Sequence, residues 1–177
     1  MPSYTYTVDK TNAVKYDVRL IAEDDVVAGT VSVVWPEDKD QINGRVMVGP
    51  YSVNAKIRGQ SLSYALLWIG LTMVEQAGYQ KMKTGAVHGV LHDTMRGAGL
   101  RMATERFVDP TMRSKLTSSH LAESDLDQNI MAIWECDDIA AAIQACEGKM
   151  KGKGVTVTAP SISKGSKSGF CGGCTIM

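Results

Sequence analysis

Hydrophobic and polar positions alternate over the first third of the chain. Tyr4-Thr5-Tyr6-Thr7-Val8 and Tyr16-Asp17-Val18-Arg19-Leu20-Ile21 carry the two-residue period of a half-buried strand. Residues 26–35 are rich in β-branched side chains and end at Pro36, which predicts a third strand. After the polar stretch 37–44, Arg45-Val46-Met47-Val48 begins a fourth. Asn43-Gly44 is a turn dipeptide that predicts a hairpin between the two.

The period then changes. Leu62, Ala65, Leu66, Ile69, Met73, Val74 and Ala77 recur at helical spacing, and Gly78 follows as a stop. Leu67, Trp68 and Leu71 make the other side of this helix apolar too, so it is covered on more than one side. A strand over 81–87, a short helix over 90–98, and strands over 102–108 and 130–134 come next. Residues 109–128 are polar. Ile139, Ala142, Ile143 and Cys146 then predict a helix over 137–149, with Asp137 and Asp138 at its positive end. Beyond Gly148 the composition turns to Lys, Gly, Ser and Thr, which reads as an arm. The expected organisation is a domain over 1–148 and a basic arm over 149–177.

Composition narrows the classes. The 177 residues suit one domain with a tail, and 44% hydrophobic residues can fill a core. Lys+Arg and Asp+Glu both number 19, a balance that argues against a nucleic-acid-coating protein and against a disordered chain. The zero is a sum of unlike parts. From Glu147 onward five lysines face one acid, so this stretch is +4 and the first 146 residues are −4. No signal peptide is visible, and no apolar run is long enough to span a bilayer. A reducing, cytoplasmic setting, or an intracellularly assembled particle, is expected.

The junction Val53-Asn54-Ala55-Lys56-Ile57-Arg58-Gly59-Gln60-Ser61-Leu62-Ser63-Tyr64-Ala65-Leu66-Leu67 resembles the acyl-CoA-binding motif of the GNAT N-acetyltransferases. There a strand runs V-x-P-x-x-R-G-x-G-x-G/A-x-x-L-L into a helix, and the helix ends near A-G-Y, here Ala77-Gly78-Tyr79. The resemblance spans about thirty residues and implies a GNAT-like α/β fold. Its sheet would be mixed and mostly antiparallel, flanked by helices on both faces.

The resemblance further implies acetyl-CoA as co-substrate. Its pyrophosphate would lie on backbone groups from Arg58, Gly59, Gln60, Ser61, Leu62 and Ser63, with Val53 bonding the pantetheine arm. A helix N-terminus suits this, because its unpaired N–H groups and dipole favour an anion. Serines replace two family glycines at 61 and 63, and Ala55 replaces the proline. In the family's second block a tyrosine serves as acid toward the leaving thiolate. Met95 takes that position here, and a thioether donates no proton. The strand at 45–50 also lacks a carboxylate base.

His88 and His92 are the candidate bases. Their i,i+4 spacing also fits zinc, but no third ligand or HExxH glutamate accompanies them, so no metal is assigned. Cys174-Thr-Ile-Met resembles a prenylation box, which would bring a membrane into play. Cys171 and Cys174 also have the C-x-x-C spacing of a redox pair.

Two functions follow. One is transfer of an acetyl or acyl group from acyl-CoA to a primary amine. The other is a catalytically silent GNAT fold used as a structural component of a larger assembly, such as a virus particle. It would dock a protein partner through 149–177, and a homo-oligomer is compatible with either.

Overall fold

The computed structural model describes residues 2–37, 46–57, 61–103 and 129–159, with backbone alone at 86–89 and 129–131. The alternating segments form β1 (Ser3–Lys10), β2 (Lys15–Ala22), β3 (Val27–Val34) and β4 (Val46–Val53). These pair antiparallel in sequence order. The hairpin turn expected at Asn43-Gly44 lies outside the described residues.

Helix α1 (Leu62–Gln76) leads to β5 (Met82–His88), which pairs parallel with β4. Helix α2 (Gly89–Gly97), the two-residue β6 (Arg101–Met102) and β7 (Asn129–Cys136) follow. The strand expected over 102–108 is described only at this start. Helix α3 (Ile139–Gly152) and β8 (Thr156–Thr158) complete the order. The sheet runs β6-β7-β5-β4-β3-β2-β1-β8 and is mostly antiparallel.

Strand alternation sorts the side chains into two layers. Val18, Leu20, Val31, Val33, Val46 and Val48 are buried on the side that carries α1. The approach is close: a Cβ on Gly70 of α1 would lie 2.6 Å from Val48 Cγ1. Helix α2 shares this side, because His92 meets Trp134, whose strand neighbour Thr84 aligns with Val48. Helix α3 packs along α1, tied by Trp68 Nε1 donating to Glu147 Oε1 at 3.1 Å. The described helices lie on one face of the sheet.

On the other face, Lys83, Glu135 and Arg101 form a ladder of ion pairs across β5, β7 and β6. Arg19 pairs with Asp9, and Ser32 donates to Asp17.

The boundary at 148 needs correction. Asp138 caps α3, its carboxylate accepting from Ala141 N at 3.0 Å, and the helix continues through Gly152. Met150 and Val155 are buried, and β8 adds a parallel edge to β1 through Ser3–Thr156, Tyr4–Val157 and Thr5–Thr158. Lys149 and Lys151 occupy the last turn of α3, where positive charge opposes the helix dipole. The sequence reading missed this because a polar, Lys/Gly-rich stretch buries only every third or fourth residue.

Candidate active site at the parting of two strands

Strands β4 and β5 pair over three positions, Val46–Met82, Met47–Lys83 and Val48–Thr84, and then part. The cause is in β4. Val31 of β3 faces Tyr51 while Val33 faces Val48, so two residues, Gly49 and Pro50, stand against Ser32. This is a β-bulge, which bends the strand and increases its twist. Gly49 takes φ 126°, a backbone region that favours glycine. Pro50 beside it has no N–H to offer a ladder.

The gap is lined by β4 backbone. Asn54 N–H donates to Ala28 O on β3 at 2.9 Å, so by alternation the backbone groups of Val53 and Tyr51 point away from β3 and into the gap. Across it, Tyr51 Oη and Thr84 Oγ1 lie 2.9 Å apart and bridge the two strands just where their backbones separate. Thr84 is fully buried. Burial pushes the Tyr51 phenol above its ordinary pKa, against a smaller lowering by Thr84. The sequence reading passed over Tyr51; the Gly-Pro pair inside a strand was the available signal.

Helix α1 starts beyond the end of β4, after a 3-10 turn at Ala55–Ile57. Its N-cap, Ser61, has φ 56° and ψ 25°, and no side chain caps this end. Tyr64 N and Ala65 N already bond Ser61 O, so the N–H groups of Leu62 and Ser63 lie ahead of the first intrahelical bond. Leu62 is buried in the core. The Ser63 and Thr94 hydroxyls lie 2.7 Å apart, joining α1 to α2, and Thr94 Oγ1 is also 2.9 Å from Val90 O. In the hydroxyl pair Thr94 Oγ1 donates and Ser63 Oγ accepts. Arg58, Gly59 and Gln60 lie outside the described residues.

The histidines separate. His88 ends β5, whereas His92 is in α2, fully buried, with Nδ1 accepting from Trp134 Nε1 at 3.1 Å. Met95, at the position where the resemblance expects a tyrosine, is fully buried as well. Among the described residues no three His, Cys, Asp or Glu side chains group as for a metal ion, and no helix is long and apolar enough to cross a membrane. Cys136 and Cys146 are buried free thiols, while Cys171 and Cys174 lie outside the described residues. On the open face, beside the bulge, a groove of about 410 Å³ is lined by Asp17, Ser32, Pro50 and Ser52, among others.

The fold recurs in solved structures. An acetyltransferase of Bacillus subtilis in complex with CoA matches with TM-score 0.53 at 12% identity, over 76% of this chain and 98% of that one. A GNAT family acetyltransferase of Elizabethkingia anophelis with acetyl-CoA bound matches with TM-score 0.51 at 10% identity, over 75% and 96%. The fold is that of the GNAT superfamily. A CoA-dependent acyl-homoserine lactone synthase with SAM and isopentyl-CoA also matches, with TM-score 0.52 at 12% identity, over 86% of this chain and 72% of that one. No family model and no curated sequence matches the chain. In this GNAT fold β1 and β2 are joined directly by the turn at 11–14, in which Asn12 Oδ1 accepts from Val14 N and Lys15 N.

Proposed function

We propose that this protein is an acyltransferase that binds acyl-CoA, acetyl-CoA in the first instance, and passes the acyl group to a primary amine. The observation that carries the reading is the alignment of two anchoring features. A gap lined by the free backbone edge of Tyr51 and Val53 leads to an uncapped helix N-terminus at Ser61–Ser63. The first suits the amides of a pantetheine arm, and the second suits a pyrophosphate. Arg58 adds a guanidinium, with Gly59 and Gln60 completing the cradle.

The CoA complexes among structures of this fold support the same reading. The amine approaches from the open face, where the groove beside Pro50 and Ser52 meets the bulge. Nucleophilic attack forms the C–N bond and breaks the C–S bond, with the electron pair leaving on sulfur. Water takes the amine proton, because the buried His92 already has Nδ1 engaged by Trp134. Calorimetric titration with acetyl-CoA tests this. The wild type binds and Arg58→Glu does not; a wild type that fails to bind at millimolar ligand overturns the proposal.

A further inference from the structure

Polarising a thioester carbonyl requires a hydrogen-bond donor where negative charge develops on oxygen. Among the described residues, the hydroxyls that bridge the two strands at the gap are those of Tyr51 and Thr84. They meet at 2.9 Å at the last paired rung, Val48–Thr84. We infer that the Tyr51 hydroxyl is the side-chain donor to the carbonyl of an acyl thioester held in the gap, with Thr84 as its positioning residue. The inference rests on the acyl-CoA reading above and adds to it the group that activates the thioester.

Three features carry it. The bulge at Gly49-Pro50 advances β4 by one residue, which sets Tyr51 opposite Val31 on the helix-bearing side. Its ring then reaches across to β5, and its Cε2 would lie 3.5 Å from a Cβ on Gly49. Glycine there leaves the space beside the ring open. Thr84 is fully buried at the base of the gap, so its hydroxyl holds the phenol oxygen in place. With Thr84 donating to Tyr51 Oη, the phenol proton is left for an acceptor held in the gap. Burial keeps the phenol protonated, so it acts as a donor and not as a base.

The reaction balances without transfer of the Tyr51 proton. The nitrogen lone pair forms the C–N bond, the C–S pair leaves on sulfur, and water takes the ammonium proton. Water also protonates the thiolate. Tyr51 strengthens its hydrogen bond as charge reaches the carbonyl oxygen, and relaxes as the carbonyl re-forms.

Isotope-edited infrared difference spectra of acetyl-CoA labelled with 13C at the carbonyl, bound to the full chain, test the inference without relying on turnover. The wild type shifts the carbonyl band to lower frequency. Tyr51→Phe keeps acetyl-CoA affinity within about 3-fold and abolishes the shift, while its kcat falls about 100-fold, as for loss of one oxyanion donor. Thr84→Val retains the phenol and shows a smaller shift, restored by Thr84→Ser. A bound acetyl-CoA whose band is unshifted, or shifted equally in Tyr51→Phe, overturns the Tyr51 assignment and leaves the acyl-CoA reading intact. Absence of binding by the wild type overturns both.

Discussion

The indole Nε1 of Trp134 on β7 donates to Nδ1 of His92 on α2 at 3.1 Å, with both side chains buried. A ring nitrogen that accepts an N–H bond carries no proton, so the imidazole is the neutral Nε2–H tautomer. The pair fastens α2 to the sheet next to the parted strands. Trp134→Phe leaves Nδ1 without this donor and should cost about 1–3 kcal/mol in urea unfolding. Long-range 15N–1H spectra of the wild type should show His92 protonated at Nε2; a proton on Nδ1 contradicts the bond.

Helix α1 approaches β4 through Gly70, where an added Cβ would sit 2.6 Å from Val48 Cγ1. Valine has no flexible end to move aside. Gly70→Ala gains helix propensity yet should lose about 1–3 kcal/mol to overpacking. A thermal melt decides the sign, and an unchanged or higher midpoint refutes the close packing.

Burial pushes the Cys136 thiol up to about 11 and the Cys146 thiol up to about 12. Both groups are neutral when protonated, so their folded form is favoured below the ordinary thiol value. That contribution is fully present below roughly pH 8.5 and is lost as pH rises toward the folded values. Stability should therefore decline from pH 8 to 10, and Cys146→Ala should flatten the decline. At pH 8 a maleimide, mapped by mass spectrometry, should reach these two thiols only after unfolding. Rapid labelling of native Cys146 would refute this.

Residues 149–158 belong to the folded body. A chain ending at Gly148 loses Met150, Val155 and β8, and should be destabilised by at least about 3 kcal/mol or fail to fold. A chain ending at Ala159 should melt with the full-length protein. Equal melting of the two truncations would restore the boundary at 148.

The strands and helices were largely legible because their periods are strong. Val18/Leu20 and Val31/Val33 alternate, and Leu62 to Val74 repeat at helical spacing. The helix entry at Ser61–Ser63 was legible because a strand, a short polar junction and an apolar helix announce a helix N-terminus. The parting of the strands was written as Gly49-Pro50, but a bulge becomes visible only against its partner strand, so Tyr51 and Thr84 escaped notice. His92 misled for a similar reason: its burial depends on Trp134, 42 residues away. The end of α3 was obscured by lysines whose stems flank a narrow buried stripe at Cys146 and Met150.

The pairing of Ser3 with Thr156 has a consequence for synthesis of the protein. The strand made first keeps one edge unpaired until nearly the whole domain has left the ribosome. During that interval β1 exposes backbone donors and acceptors to any other nascent chain. Thr5, Thr7 and Asp9 are exposed along this strand, and the charge at Asp9 discourages such pairing. Co-translational folding would complete the sheet interior first, and its outer seam last.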